Sequence, residues 1–310
     1  MYIIIKKNNI GELILSELTT GQLILIIVLA VLLITAVSLL ARALYEPYVL
    51  KVTKRKMFPG AKCSDFRKQV PPADSSEKPG IRLIFFSDLH ADFCRIKPER
   101  LISAIKDANS SAPIDAVVFG GDICNKYNVT DIGLSYLRKI SDACKELGIP
   151  FYGVTGNHDH GFEPAADKCG FESIENKQIS MTSRSTGKTV ILSGVDDSGR
   201  ENRIWYKVPA VPSDCVSVAV IHNPDSILHF EADDHVDFML SGHLHAGQIK
   251  MPFRLEFVGL RPDKLPWYDV IEGVFEHNGT TLFISRGLGC NLLPLRLGAY
   301  PEVSVVEIYD

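Results

Sequence analysis

Five apolar stretches of this chain each lead directly into an Asp, Asn or His residue. The stretches are IRLIFFS, IDAVVFGG, IPFYGVTG, VSVAVI and VDFMLSG. They are short and alternate with helical patterns, which predicts an α/β fold with a sheet of buried strands. In open α/β sheets, ligands gather beyond the carboxyl ends of the strands. The pattern therefore predicts one polar rim, assembled from the ends of five separate strands.

The side chains expected at this rim carry oxygen and nitrogen ligands. They are Asp88, His90, Asp122, Asn157, His158, Asp159, His222, His243 and His245. Carboxylates and imidazoles gathered at one place need cations to neutralise them, and this mixed set suits Mn, Fe or Zn better than Ca. A pair of divalent ions clamps the attacking and leaving oxygens of an in-line displacement. The rim therefore predicts two divalent metal ions and phosphoester chemistry.

Taken in chain order, these motifs resemble those of the calcineurin-like metallophosphoesterases. They are Asp-x-His at 88–90, Gly-Asp at 121–122, Gly-Asn-His-Asp at 156–159, His-Asn at 222–223 and Gly-His-x-His at 242–245. The resemblance covers residues 81–310 and implies a layered αββα sandwich of mixed β-sheets. It also implies a metal-dependent phosphoric ester or anhydride hydrolase.

A looser resemblance connects the chain to the membrane-associated bacterial branch of that family. Ser-Arg-Gly-Leu-Gly at 285–289 and Pro-Leu-Arg at 294–296 carry it. That branch includes an enzyme that cleaves UDP-2,3-diacylglucosamine, which implies a lipid-linked substrate. Ala246 departs from the branch pattern, in which glycine is commoner, and we expect its methyl group to narrow the pocket.

The resemblance further implies a role for each rim residue. Asp122 would bridge two ions, the first held by Asp88, His90 and His245 and the second by Asn157, His222 and His243. His158 would hydrogen-bond the phosphoryl oxygen and protonate the leaving oxygen, and Asp159 would orient His158. Arg286 follows a predicted strand and would contact a phosphate of the substrate, although a structural salt bridge explains it equally well.

Residues 18–41 contain no charged side chain. Such a run forms a helix of roughly 36 Å, at about 1.5 Å per residue, which spans the roughly 30 Å hydrocarbon core of a bilayer. A cleaved signal peptide is the alternative, because Ala41-Arg42-Ala43 matches a small-x-small cleavage site. Lys and Arg are more frequent after the run than before it. The positive-inside tendency therefore predicts a single-pass protein of the cell membrane with a cytoplasmic catalytic domain.

The predicted organisation has four parts: an N-terminal tail (1–17), a transmembrane helix (18–45), a juxtamembrane segment with a linker (46–80) and the phosphoesterase domain (81–310). Residues 69–80 are rich in Pro and Ser, which is typical of a linker. We expect strands at 82–87, 115–120, 150–154, 189–195, 216–221, 236–240, 280–285 and 302–308. We expect helices at 99–109, 130–147 and 224–230.

Composition and charge narrow the partners. The chain has 33 Lys and Arg against 37 Asp and Glu, so no general basic field is available for nucleic acid. Seven cysteines without a C-x-x-C pair do not suggest a disulfide framework. No protein partner can be inferred from the sequence. The segment 249–268 mixes aromatic and basic residues, which suits either a membrane interface or a buried core.

The leading hypothesis is a membrane-anchored binuclear metal phosphoesterase that hydrolyses a phosphodiester or pyrophosphate bond. A lipid-linked molecule such as UDP-2,3-diacylglucosamine is the candidate substrate. One alternative is a general phosphodiesterase or phosphatase that acts on soluble or envelope substrates. A second alternative is a non-catalytic metal-binding scaffold.

Overall fold

The computed structural model describes residues 19–70, 78–126, 130–159, 168, 170–195, 208–230, 236–258 and 261–309. The chain divides into two compact units, Met1–Ala43 and Leu44–Asp310. Helix α1 (Thr20–Tyr45) begins in the first unit. Its length and apolar composition suit a membrane span, and a signal sequence has the same character.

Two mixed β-sheets form the second unit. The first contains, in spatial order, β1 (Lys51–Met57), β13 (Glu302–Ile308), β3 (Ile81–Phe86), β4 (Ala116–Gly120), β5 (Phe151–Val154) and β6 (Glu172–Ser173). The second contains β2 (Arg67–Lys68), β11 (Gly273–His277), β12 (Thr280–Ile284), β10 (Phe238–Ser241), β9 (Val216–Ile221), β8 (Thr189–Val195) and β7 (Lys177–Thr182). Strands β3 to β6 are parallel, and so are β8, β9, β10 and β12. Within each parallel group the carboxyl ends therefore lie at one edge.

One apolar core fills the space between the two sheets. Leu83 and Phe85 of β3 pack in one buried cluster with Val218, Phe238 and Phe283 of the second sheet. The central strands β3, β4 and β9 are buried along their whole length. Strands covered on both faces have no polar face, which explains their nearly continuous apolar sequences.

The outer faces of the two sheets are covered differently. Helices α2 (Pro98–Ser111) and α3 (Thr130–Leu147) cover the first sheet, where Leu101 and Leu137 pack with Phe86. On the second sheet, two 3-10 helices, Pro224–His229 and Leu265–Tyr268, contribute Ile227 and Leu265 to a third apolar cluster.

The expected α/β architecture with mixed sheets is confirmed, and each predicted strand has a counterpart. The predicted helix at 224–230 is wrong in type, because that segment forms a six-residue 3-10 helix. Strands β1 and β2 lie within the segment that was expected to be juxtamembrane and linker. Because β1 pairs with β13 along its seven residues, sheet structure begins before residue 81. Residues 71–77 of the expected linker lie outside the described residues.

Candidate active site

The loops after β3, β4, β5, β9 and β10 bring the predicted ligands together at one edge of the two sheets. Five of these residues have a left-handed backbone, with φ of 50° at Asp88, 37° at His90, 63° at Asp122, 68° at His243 and 51° at His245. This conformation costs of order 1–3 kcal/mol in a residue other than glycine, and it clusters at functional sites. The fold therefore holds these side chains in place against local backbone preference.

Glycine is required where two of the carboxylates approach neighbouring loops. A Cβ atom on Gly156 would lie 2.3 Å from Oδ1 of Asp122, and one on Gly242 would lie 2.4 Å from Oδ2 of Asp88. Any larger residue at either position would push a carboxylate away. The glycines in the Gly-Asn-His-Asp and Gly-His-x-His motifs therefore make room for the acidic groups.

The first cluster consists of Asp88, His90, Asp122 and His245, all of which are buried. Their ligand atoms lie within 4.8 Å of one another. Nε2 of His245 lies 3.1 Å from Nε2 of His90 and 3.4 Å from Oδ1 of Asp88. Nε2 of His90 lies 3.4 Å from Oδ2 of Asp122. Two imidazoles and two carboxylates thus point at one small volume, as the ligands of a cation do.

The second cluster shares Asp122 with the first and adds His222 and His243. Nε2 of His222 lies 3.2 Å from Oδ2 of Asp122, 3.2 Å from Oδ1 of Asn157 and 3.3 Å from Nδ1 of His243. The predicted ligand Asn157 is therefore at this cluster as well. The seven residues predicted to hold metal ions lie together in two groups that share one carboxylate.

The hydrogen bonds of two histidines show which ring nitrogen of each donates to a neighbouring oxygen and which one faces the second cluster. Nδ1 of His222 lies 2.7 Å from the carbonyl oxygen of Gly120, which can only accept, so Nδ1 carries the hydrogen. Nε2 of His243 donates in the same way to Oδ1 of Asp263, at 2.9 Å. In the neutral form of both rings, the remaining nitrogens are acceptors, and they lie beside oxygens of Asp122 and Asn157. These nitrogen and oxygen atoms fit a divalent cation, and Asp263 fixes the orientation of the His243 ring.

The protonation states also suit metal binding. Burial opposes ionisation of Asp122, but His222 and His90 outweigh it and hold the pKa of this carboxyl well below its usual value. Burial, with further contributions from His90 and Arg296, places the pKa of His245 well below its usual value. An ionised carboxylate and a neutral imidazole are the forms that bind metals.

A family model for calcineurin-like phosphoesterases matches residues 81–247, which is more than half of the chain. The chain belongs to this family. The calcineurin-like phosphoesterases use a binuclear divalent metal site, and the two clusters described above are residues that could form it. As a member, the chain is a metallophosphoesterase, a hydrolase.

Relatives of this calcineurin-like phosphoesterase occur in bacteria and in vertebrates. An uncharacterized metallophosphoesterase of Bacillus subtilis, YkuE, is 31% identical over 242 residues, covering 74% of this chain and 79% of the relative. The phosphodiesterase YaeI of Escherichia coli is 28% identical over 242 residues, covering 73% and 82%. A transmembrane protein with a metallophosphoesterase domain from Danio rerio is 24% identical over 249 residues, covering 74% and 53%.

His158 lies at the edge of the first cluster. Its backbone N–H donates to Oδ1 of Asp122 at 2.9 Å, and its ring stands 5.0 Å from that of His90. Nε2 of His158 lies 3.4 Å from Nδ2 of Asn291. Partial burial lowers the pKa of His158. The side chain lines the same cavity as Asp122, Asn157 and His243, so it can reach a group bound at the clusters.

The expectation that Asp159 orients His158 is wrong. The carboxylate of Asp159 accepts from the backbone N–H groups of Asp122, Ile123 and Gly156 at 2.8, 2.8 and 2.9 Å. It thereby ties the loop after β4 to the loop after β5. Burial and the neighbouring Asp122 raise the pKa of Asp159 to about 7, against the hydrogen bonds from Gly156 and Ile123. His158 and Asp159 are adjacent in the motif, which suggested that their side chains interact. The carboxylate of Asp159 instead bonds backbone N–H groups of the two loops.

The structure supports the salt-bridge interpretation of Arg286. Its Nε atom bonds the carboxylate of Glu272 and lies 3.8 Å from Oε2 of Glu302. Arg286 does not line the cavity described below. The expectation that it contacts substrate therefore has no support from its position, since its guanidinium already has carboxylate partners.

Two residues near the clusters were missed in the sequence. Arg296 is fully buried, donates to the carbonyl oxygens of Gly289 and Ala299, and places Nη2 3.3 Å from Nδ1 of His245. Asp263 bonds His243 and forms a 2.6 Å salt bridge with Arg261. The Pro-Leu-Arg motif includes Arg296, but the resemblance that it carries assigns this residue no role. Asp263 belongs to no motif in the sequence.

A cavity of about 590 Å³ opens beside the two clusters. One part of its wall is polar and includes Asp122, Asn157, His158, His243 and Asp263. Another part is apolar and includes Ile249, Met251, Leu292 and Leu293. Ala246 is fully buried and is not part of the lining, so the expected narrowing by its methyl group is wrong.

The segment 249–268 divides between the two expected environments. Phe257 and Leu265 are buried in the third apolar cluster. Phe253 and Trp267 are exposed, as is Met251 at the cavity. The mixed sequence pattern therefore reflects a segment that packs at two points and exposes apolar side chains before the first point and after the second.

Proposed function

We propose that this metallophosphoesterase is anchored in the cell membrane and cleaves a phosphodiester or pyrophosphate bond of an amphiphilic substrate. The observation that carries the proposal is the cavity, which joins two metal-type clusters to an apolar wall. A molecule with an anionic phosphoryl group beside acyl chains fits both parts of that wall. UDP-2,3-diacylglucosamine has this combination and is the candidate we name.

We assign the seven converging residues as ligands of two divalent ions. Asp88, His90 and His245 would hold one ion, Asn157, His222 and His243 would hold the other, and Asp122 would contact both. When bound, such ions polarise phosphoryl oxygens and make water a stronger nucleophile at neutral pH. The shared carboxylate fixes the two ion sites next to each other.

His158 is proposed as the proton donor to the leaving oxygen. It lines the cavity beside Asp122 without belonging to either cluster. Asn291, whose Nδ2 lies 3.4 Å from Nε2 of His158, is a positioning residue for the ring. Asp159 is proposed as a positioning residue that does not touch the substrate. Its three hydrogen bonds to backbone N–H groups hold the loops that carry Asp122 and His158.

Asp263→Asn is expected to weaken metal binding by about 10- to 100-fold, which is typical for loss of a carboxylate behind a ligating histidine. The substitution removes the negative charge that holds the Nε2 hydrogen of His243. Titration of metal-free protein with Mn²⁺ measures the effect. The matched control is Asp269→Asn, which changes an exposed carboxylate of the same loop region. Equal affinities in the two variants would contradict a ligand role for His243.

The orientation of the chain is proposed from the basic residues that follow the apolar helix. Lys51, Lys54, Arg55 and Lys56 lie within twelve positions of the end of α1 at Tyr45, where basic residues favour the cytoplasmic side. A C-terminal alkaline phosphatase fusion should be inactive, and a C-terminal fluorescent protein fusion should be bright. The reverse pattern would place the catalytic unit outside the membrane and favour envelope substrates.

The substrate assignment is tested by comparing two pyrophosphates that differ in their acyl chains. UDP-2,3-diacylglucosamine in mixed micelles should give a higher kcat/KM than UDP-N-acetylglucosamine, because only the former can use the apolar wall. Equal values would support a general phosphodiesterase instead. Turnover of neither substrate, nor of a small chromogenic diester, would support the non-catalytic scaffold.

A further inference from the structure

We propose that one face of the second unit docks on an anionic phospholipid bilayer, so that the cavity opens at the membrane surface. The proposal deepens the proposed function, because it gives the route by which an amphiphile would reach the site. It is based on three features of residues 44–310: how the chain enters the unit, the side chains around that point, and the rim of the cavity.

Where the chain enters the second unit, hydrogen bonds connect it to a segment that carries cavity-lining residues. Helix α1 ends at Tyr45, and the next residue, Glu46, is fully buried. Oε2 of Glu46 accepts from the backbone N–H of Gly298 at 2.6 Å. The neighbouring Leu297 accepts from Lys250 at 2.9 Å, and Lys250 belongs to the segment that lines the cavity. Within the second unit, hydrogen bonds of Glu46 and of the 297–298 segment therefore connect the point of entry to Lys250, which lies between the cavity-lining residues Ile249 and Met251.

Aromatic and basic side chains lie near this entry point. Tyr45 and Tyr48 are exposed, and Nη1 of Arg100 donates to the carbonyl oxygen of Tyr48 at 2.9 Å. The guanidinium of Arg95 stands 6.0 Å from the ring centre of Tyr48, and Nζ of Lys51 stands 4.8 Å from that of Tyr300. Tyr is enriched at the level of lipid headgroups, and Arg and Lys are attracted to anionic ones.

The rim itself exposes large apolar side chains at an energetic cost. Leu292 lines the cavity and is 83% exposed, and Phe253, two positions after the lining residue Met251, is 93% exposed. Both have a left-handed backbone, with φ of 60° at Leu292 and 59° at Phe253, which costs of order 1–3 kcal/mol in such residues. Nε2 of Gln248 donates to the carbonyl oxygens of Asn291 and Leu293, so the two rim segments are held side by side. Insertion into the boundary between headgroups and acyl chains would stabilise this outward presentation.

Tryptophan reporters in the full-length protein test the docking. Phe253→Trp and Leu292→Trp are reconstituted into vesicles of phosphatidylcholine and phosphatidylglycerol, with and without brominated acyl chains, and the wild-type signal is subtracted. The control is Ile132→Trp, at an exposed position on α3. We expect blue-shifted emission and loss of fluorescence to brominated lipid at 253 and 292, and neither at 132.

Quenching by iodide in the aqueous phase measures how far each tryptophan reporter is exposed to water. If iodide quenches the reporters at 253 and 292 as strongly as the one at 132, the docking proposal is overturned. Protection from iodide without quenching by brominated lipid would indicate a protein partner or a second copy, and would overturn it as well.

Activity separates this proposal from the proposed function. Phe253→Ser should lower turnover of vesicle-embedded UDP-2,3-diacylglucosamine and leave hydrolysis of bis(p-nitrophenyl) phosphate at the wild-type rate, whereas Ile132→Ser should change neither. Turnover of the lipid by the wild type, without bilayer contact at 253 and 292, would refute the docking alone. Bilayer contact without turnover of the lipid would refute the substrate assignment alone.

Discussion

Asp122→Asn is expected to lose the bound metal ions together with measurable turnover. Oδ2 of Asp122 lies 3.4 Å from Nε2 of His90 and 3.2 Å from Nε2 of His222, so this carboxylate is the member common to both clusters. Removing its charge weakens both ion sites at once. Because metal stabilisation of the transition state is worth several kcal/mol, we expect turnover to fall by at least about 10³-fold.

Elemental analysis and turnover of the purified variant measure these two losses. The asparagine keeps an oxygen that can accept the backbone N–H of His158, which now bonds Oδ1. Asp142→Asn, at an exposed position of α3, is the control for the change of charge. Full metal occupancy in Asp122→Asn would contradict the bridging assignment.

His158→Gln is expected to keep the metal ions and to lower kcat by about 10²- to 10⁴-fold, the usual contribution of a general acid. The imidazole lines the cavity and lies outside both clusters, so its loss removes a proton donor and no ligand. The defect should be larger for an alkyl phosphodiester than for bis(p-nitrophenyl) phosphate, because p-nitrophenolate leaves without a proton.

That dependence on the leaving group separates a catalytic role from a structural one. The exposed His229 gives the control His229→Gln, for which metal content and turnover should match the wild type. If His158→Gln loses metal to the same extent as Asp122→Asn, then His158 supports the ion sites and does not act as the acid.

The strands that are easiest to predict are those that are buried on both faces and therefore have nearly continuous apolar sequences. Strands β3, β4 and β9 read as apolar runs because the core lies on one side and a covering layer on the other. Strand β1 was missed for the opposite reason. It is an edge strand with the sequence KVTKRKM, and much of it is exposed. Charged side chains on an edge strand prevent unwanted pairing with other chains. The same charges interrupt the apolar pattern by which strands are predicted, so β1 was not recognised.

The 3-10 helix at Pro224–His229 shows that residues typical of a helix N-terminus do not determine the type or length of the helix that follows. The side chain of Asn223 accepts from the backbone N–H of Asp225, and Pro224 follows the cap, as at the start of an α-helix. The segment ends after six residues, so the start signal gave the position of the element but not its type or length.

The clusters could be predicted because their members follow strands directly. A side chain just beyond a parallel strand is placed by the topology of the sheet, and five such positions converge here. The partners of those side chains could not be predicted in this way. Asp263 reaches His243 from a loop, and Arg286 is engaged by Glu272 through contacts that no sequence spacing encodes.

The most direct test of a binuclear metal phosphodiesterase is hydrolysis of bis(p-nitrophenyl) phosphate by the purified full-length protein, measured with its metal content. The protein as purified or loaded with Mn²⁺ should hydrolyse the diester with two ions bound per chain. Chelation should remove both metal and activity, and Mn²⁺ should restore them together. Hydrolysis that persists after the metal has been removed, or two bound ions without hydrolysis, would contradict the assignment.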